Sequence, residues 1–414
     1  MNARPRYIGL ACLLFTAPAA LGQASVWIVD DDAGPGVDFP DLAPAVAAAA
    51  SGDFLLVKDG SYGSVVLDKS LTVVAEQGAA AVAGELQIHQ LAAGEQLVVR
   101  GLRFRADGLP LSVSGSQGRV WLEACRFENT SAAGTGTGLR AAAVVEGSNS
   151  VVFLSTTLQG GTTAAAGVAV PEGQGTALRC TDTDLHLYDC VVQGGDGLDS
   201  ADGGHGILLS GGSLFASGST LAGGPGGASP CPGESVPGTP GGDGGSALVL
   251  AAGAPLAHTL ACGLAGGSGG AGGAGTGCDP GQVGTAVAVQ SGSHVTLGGF
   301  ARFFAASSPV REGNDISLLF TGEPGDAVFL LIAGGLDAQF DLAFHGTQVV
   351  AAPFFVLPVG NLPPWGALSL SVPSSTLMPG VNAKRFLTQG AFLSPSFALY
   401  AGSGSAVVVL DDSL

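Results

Sequence analysis

The chain reads as an all-β protein, a solenoid of stacked coils followed by a small antiparallel β-sandwich, and three observations carry that reading. First, four positions return six times along the sequence. One column holds Leu97, Val120, Val151, Leu185, Leu214 and Ala257, and two residues on stand Val99, Leu122, Phe153, Leu187, Ala216 and Thr259. Three further on come Leu102, Cys125, Thr156, Cys190, Ser219 and Cys262, then Phe104, Phe127, Leu158, Val192, Leu221 and Leu264. A two-residue step keeps side chains on one face of a strand, and its return after 23, 31, 34, 29 and 43 residues marks coils. Second, 69 glycines and a charged fraction of 12% suit short strands joined by many turns, while 46% hydrophobic residues exclude simple disorder. Third, past Ser308 the period is lost and alternating stretches rich in Phe and Leu take over.

Residues 1–24 read as a signal peptide. Arg4 and Arg6 form a positive start, Tyr7 to Ala20 an apolar core and Gly22-Gln23-Ala24 a small-x-small cleavage site. No later apolar run approaches the roughly 20 residues of a spanning helix, so the mature chain is expected to be secreted or surface-held, without a membrane span. Without that segment the net charge is 13 − 33 = −20, which repels phosphate backbones and excludes nucleic acid as a partner.

Val26 to Val29 predicts a strand, Asp30 to Gly36 a turn, and Asp41 an N-cap for a short amphipathic helix from Leu42 towards Ala50. Gly52-Asp53, the apolar run Phe54 to Val57, Gly60-Ser61-Tyr62 and the alternation Val65, Leu67, Leu71, Val73 follow. This succession resembles the N-terminal cap of right-handed parallel β-helix proteins of the pectin-lyase-like superfamily, over about residues 25–300. The resemblance implies a parallel β-helix with a capping helix, placed as a domain at 25–308, while the loss of period past Ser308 and the strand spacing there predict a C-terminal β-sandwich domain at 309–414. It specifies fold better than function, since that superfamily holds lyases, hydrolases, epimerases, adhesins and inert scaffolds.

The intervals between columns exceed a bare coil, so the excess leaves the solenoid as loops. The longest, Gly223 to Gly245 and Gly266 to Gly284, leave at equivalent points after Leu221 and Leu264 and are expected to stack as a ridge. In the C-terminal part, Val328 to Leu331, Phe340 to Phe344, Leu368 to Val372 and Ala406 to Leu410 predict strands. Val372-Pro373, Leu377, Pro379-Gly380 and Gln389-Gly390-Ala391 resemble modules appended to other secreted bacterial proteins, which implies attachment or sorting.

The sharpest chemical motif is Gly204-His205-Gly206, with Asp196, Asp199 and Asp202 just upstream. It is similar to the Gly-His-Gly of the polygalacturonase family of glycoside hydrolases, and the resemblance implies inverting hydrolysis by paired carboxylates. The rest of that pattern is missing, with no Asn-Thr-Asp, no Arg-Ile-Lys and no lysine between Lys69 and Lys384. The repeats also align Gly204-His205-Gly206-Ile207 with Gly245-Ser246-Ala247-Leu248 and Gly284-Thr285-Ala286-Val287, which makes His205 a variable loop-to-strand residue. The same three aspartates are candidate calcium ligands, as are Asp30, Asp31 and Asp32, although neither set has the regular spacing of a calcium loop. No other cofactor is implied.

Aligned columns place Arg100 beside Glu123 and Arg105 beside Glu128 as cross-strand pairs on the outer face, leaving Arg103 and Arg126 as like-charged neighbours. Trp121 and Tyr188 are the main outward aromatics. Cys125, Cys190 and Cys262 share a column but are separated by Thr156 and Ser219, hence two rungs or roughly 9.5 Å apart, beyond the ~7 Å reach of a disulfide. Cys231 and Cys278, in the two long loops, are the candidate disulfide.

These residues favour a secreted, non-catalytic structural or adhesive protein contacting polysaccharide or cell-envelope components. The alternative is a carbohydrate-active enzyme, a polysaccharide lyase or glycoside hydrolase, with its site around Asp196 to His205. The sequence leaves the ligand and the oligomeric state open.

Overall fold

The computed structural model describes residues 24–32, 34–131, 140–164, 174–229, 240–273, 277, 279–374 and 376–414. Three parallel sheets enclose one core. The broad sheet has ten strands laid down in chain order, from Val26–Val29 to Ser293–Leu297. The second sheet runs from Gly60–Tyr62 to Gly263–Ala265 and the third from Val65–Leu67 to Val287–Val289, with eight strands each.

The columns of the sequence are the rungs of this parallel β-helix. Leu97, Val120, Val151, Leu185, Leu214 and Ala257 are successive register partners in the broad sheet. Phe104, Phe127, Leu158, Val192, Leu221 and Leu264 are register partners in the second. Identical residues on adjacent rungs stack, as Phe104 does on Phe127 at 5.1 Å between ring centres. The chain turns from broad to second sheet through two residues, the first of them left-handed: Gly101, Ala124, Ser155, Asp189, Gly218 and Ala261 have φ from 46° to 79°. Helix α1, Leu42–Ala48, starts at Asp41, whose carboxylate accepts from the Leu42 amide, and it buries Leu42, Ala45 and Val46 over the first coils. Asp53 of the Gly-Asp pair is buried and accepts from the Ser25 and Ala50 amides and from Trp27 Nε1, tying strand, helix end and cap together.

Cys125 and Cys190 are buried free thiols, pushed up to about 12 by burial, and Cys262 is free and half-buried. Between them Thr156 and Ser219 offer side-chain oxygens to the Cys125 and Cys190 amides. Cys231 and Cys278, the proposed disulfide, lie outside the described residues, as does the signal segment up to Gln23.

The C-terminal part is antiparallel, apart from the two-residue pairing of Val310–Arg311 with Leu399–Leu410. A three-stranded sheet joins Phe303–Ala306, Asp315–Thr321 and Ala367–Pro373. A five-stranded sheet is built on the long strands Ala383–Leu393 and Leu399–Leu410, and a two-stranded sheet pairs Leu336–Asp341 with Gly346–Val350. The strand expected through Phe344 stops at Asp341, because that carboxylate accepts from the Ala343 amide and opens a 3-10 turn, Leu342–Phe344. Arg302 anchors one end of this module, its buried guanidinium paired with Asp326 at 2.9 Å and Glu323 at 3.0 Å and lying over the Tyr400 ring.

This module sits on the outer face of the broad sheet. Val98, Trp121, Val152, Leu154, Tyr188 and Phe215 pack in one cluster with Phe304, Val349, Leu387 and Val407. Trp121 and Tyr188, expected to face outward, do leave the solenoid core, yet both are fully buried beneath the module. The Arg100–Glu123 pair forms as the columns predict but is a buried junction rather than an exposed ladder. Glu123 also accepts from Trp121 Nε1 at 3.0 Å, Ser405 Oγ at 2.7 Å and the Ala406 amide at 2.8 Å, while Arg100 donates to the Ala306 and Ala406 carbonyls. Arg105 and Glu128 stand opposite in register, but Glu128 pairs with Arg126 two residues along its own strand. Arg103 and Arg126 are register neighbours as expected.

Candidate binding surfaces

A binding or catalytic groove needs an open face, and the sealing of the broad sheet removes the largest one. What remains includes the outer face of the second sheet, a cleft of about 300 Å³ beside Gln117, Asn149, Asp182 and Asp184, the glycine-rich edge, the turns near the N-terminal cap, the seam between solenoid and module, and the module's own loops.

The glycine-rich edge is not a set of loose loops. Segments at 194–197, 203–206, 223–227, 241–245 and 266–270 follow a Gly-Gly-x pattern, and with Gly281-Gln282-Val283-Gly284 they hydrogen-bond sideways through their backbones. Gly224 N donates to Gly204 O at 2.8 Å, Gly245 N to Gly224 O at 2.9 Å, Gly267 N to Gly245 O at 2.8 Å and Gly284 N to Gly267 O at 2.8 Å. A Cβ on Gly224, Gly245, Gly267 or Gly284 would lie at most 2.0 Å from a neighbouring carbonyl oxygen, so only glycine permits this packing. A three-residue period of this kind suits extended threefold backbones that crowd two of three positions and free the third.

The candidate residues of this region ride on that layer. Asp202 and His205 occupy the uncrowded third position of the pattern. Asp202 Oδ1 accepts from the Asp243 amide at 2.7 Å, and Asp243 Oδ1 accepts from the Gln282 amide at 2.7 Å. His205 Nδ1 accepts from the Ser246 amide at 3.0 Å, and Ser246 Oγ meets Thr285 Oγ1 at 3.0 Å. These are ladders along the aligned repeats, and they engage the side chains in backbone contacts. Asp196 is exposed, and its carbonyl accepts from the Thr163 amide; Asp199 stands exposed in a left-handed turn with Ser200, with φ values of 50° and 69°. Among the described residues, the acidic group whose ligand atoms gather within 4.8 Å is Asp30, Asp31 and Asp32; Asp196, Asp199 and Asp202 do not form such a group.

The N-terminal aspartates are themselves turn-builders. Asp30 Oδ1 accepts from the Asp32 amide and Asp31 Oδ2 from the Ser61 amide, and a Cβ at Gly60 would lie 2.1 Å from Asp31 Oδ1. Burial, then the neighbouring Asp31 and Asp30 charges, push the Tyr62 hydroxyl up to about 12.

At the seam lies a cleft of about 320 Å³, lined by Ser70, Thr72, Gln96 and Gly334 with Lys384 and Arg385. Arg385 donates to Thr72 Oγ1 at 2.9 Å and Gln96 Oε1 at 3.3 Å, both neutral oxygens, and burial lowers its pKa to about 10. On the module, Trp365 and Phe397 are 77% and 84% exposed. The turns bearing them are tied to neighbours, with Gly366 N donating to Pro363 O and Phe397 N to Ser394 O. Sequence reasoning passed over both aromatics, although each stands in a turn signal, Pro363-Pro364-Trp365-Gly366 and Ser394-Pro395-Ser396-Phe397, where an aromatic has no core to serve.

No family model matches the chain, and no curated protein matches it. Among solved structures, the chain is similar to the enzymatically active domain of bacteriophage CBA120 tailspike protein 4, at 11% identity and a TM-score of 0.23. The alignment covers 87% of this chain and 64% of that one, so this chain spans just under two thirds of the tailspike domain's length, and a TM-score of this size adds nothing to the geometry above.

Proposed function

We propose that this chain is a secreted, non-catalytic β-helix scaffold of the pectin-lyase-like type that contacts polysaccharide or cell-envelope components. The observation that carries this reading is the closure of the broad sheet by the chain's own C-terminal module. The outward charged and aromatic groups of that sheet, Arg100, Trp121, Glu123 and Tyr188, are spent on the closure. On the glycine edge Asp202 and Asp243 are tied to backbone amides, and Asp196, Asp199 and Asp202 do not converge on one point. Export is supported by the charge and apolar pattern of residues 1–24. Contact falls to the exposed aromatics Trp365 and Phe397, whose flat apolar faces suit stacking on sugar rings.

The test is a polysaccharide array read for both binding and turnover, with and without calcium. Binding without turnover, reduced at least tenfold by Trp365→Ala with Phe397→Ala, is the expected result. Release of reducing ends or unsaturated products, abolished by Asp202→Asn or His205→Ala, would replace this reading with the enzymatic one.

A further inference from the structure

The two ends of the solenoid are finished differently. Helix α1 closes the first coils over Leu42, Ala45 and Val46. The last coil has no such cover among the described residues. Its strands Gly263–Ala265, Val287–Val289 and Ser293–Leu297 each stand last in their sheets, so each presents one edge without a neighbouring strand. Core positions are laid open as a result. Inward-facing Leu250 is fully buried, yet its partner on the next rung, Val289, is 53% exposed. Val287, partner of the fully buried inward Leu248, is likewise only half-buried, and Val283 on the same coil is 70% exposed.

An uncapped repeat end with apolar core positions and free strand edges is a liability in a monomer, and repeat proteins ordinarily close it with a polar terminal unit. Charge indicates what covers it here. In a chain of net charge −18, residues 244–301 contain a single Asp, Glu, Lys or Arg, namely Asp279. Two copies of so acidic a chain repel one another wherever their acidic surfaces meet, and this end is where that repulsion is least. It also carries no charge pattern for a basic or acidic partner to read.

We propose that this end is a homotypic interface, in which the open coil of one copy stacks on the open coil of a second about a two-fold axis. The edge strands of the two copies then run antiparallel across the axis, which satisfies their free amides and carbonyls and covers Val287 and Val289. Because α1 closes the opposite end, head-to-tail stacking has no matching surface, and the assembly stops at two copies rather than growing into a fibre.

Light scattering or sedimentation of the full chain tests this. The expected mass is twice the monomer's at about 100 µM, with dissociation on dilution. Val289→Asp places like charges at the axis and is expected to weaken the dimer at least 100-fold while leaving circular dichroism unchanged. Val287→Asp supplies the same test should the first variant not fold, and Val191→Asp, on the exposed second sheet, is expected to leave the mass alone. A monomer at about 100 µM, a dimer indifferent to both end variants, or masses rising beyond two copies would each overturn the proposal.

Discussion

The outer faces of the broad and second sheets belong to the same coils, yet they live in different solvents. On the broad sheet, the outward positions Val98, Trp121, Val152, His186 and Phe215 are all buried under the C-terminal module. On the second sheet, Arg103, Arg126, Val191 and Thr220 are exposed. The difference shows that inward periodicity alone does not say what a rung faces on its other side. It also turns similar ion pairs into different objects, since Arg100–Glu123 is sealed and held by four further residues, Trp121, Ala306, Ser405 and Ala406, whereas Arg126–Glu128 lies at the surface.

The largest expected effect breaks this contrast at its charges. Glu123→Ala leaves Arg100 buried without its carboxylate and also strips acceptors from Trp121 and Ser405, so a loss of about 3–5 kcal/mol is expected in urea unfolding. Glu128→Ala, its counterpart on the exposed face, is expected to cost less than about 1 kcal/mol. Equal losses from the two would dissolve the distinction between the faces.

Packing gives the next contrast. Trp121→Ala is expected to cost about 3–5 kcal/mol, because a fully buried indole leaves a cavity between two rigid sheets. Gly404→Ala attacks the same contact from the module side, since a Cβ there would lie 2.5 Å from Trp121 Cη2, and about 1–3 kcal/mol is expected. Val191→Ala, 46% exposed, should shift the melting temperature little. A null effect of Gly404→Ala would mean that the module is held less closely than its contacts require.

Acid should loosen the covered face selectively. Burial lowers the pKa of His186 from 6.5 to about 4, partly offset by Asp184, while Nδ1 stays bonded to Thr347 Oγ1. As pH falls from about 6.5 to about 4 the unfolded chain takes up the proton and the folded chain does not. Stability is therefore present above pH 6.5 and drains through that window, by up to roughly 3 kcal/mol. Burial lowers the pKa values of His258 and His294 too, which adds in the same direction. His186→Gln should flatten the melting temperature between pH 7 and pH 4.5, and an unchanged slope would assign the acid sensitivity elsewhere.

Much of this contrast was legible in the residues. The inward columns align in the structure as they do in the sequence, because each rung repeats a two-residue step at an identical offset. The covered face had its own signal, since Val120-Trp121-Leu122 and Val151-Val152-Phe153-Leu154 are apolar at successive positions, as strands buried on both sides are. Read as one-sided rungs, they place Trp121 and Tyr188 in solvent. The glycine edge was legible as a location but not as a structure, because a Gly-Gly-x run has no side chains to pattern. Its order comes from lateral hydrogen bonds between segments far apart in the chain, such as Gly204 with Gly224 and Gly224 with Gly245. The candidate aspartates stand on that edge, and what no spacing rule reveals is that an Asp202 oxygen is taken by the Asp243 amide of the next layer, as an Asp243 oxygen is by Gln282.

The smallest expected effect sharpens the comparison at the corner where the covered sheet gives way to the exposed one. Ala261 stands there in the left-handed region at φ 50°, and a non-glycine residue held so costs about 1–2 kcal/mol. Ala261→Gly relieves that cost but loosens the unfolded chain by about 0.5–1 kcal/mol, so a net gain of up to about 1.5 kcal/mol is expected. At the equivalent corner Gly218, φ is 61° and a Cβ would come within 3.1 Å of the Ala301 Cβ, where the chain passes from solenoid to module. Gly218→Ala therefore meets both backbone strain and a neighbour, and a loss is expected where Ala261→Gly gains. Differential scanning calorimetry of the two variants reads the signs directly, and like signs would mean that left-handed backbone strain does not decide stability at this corner.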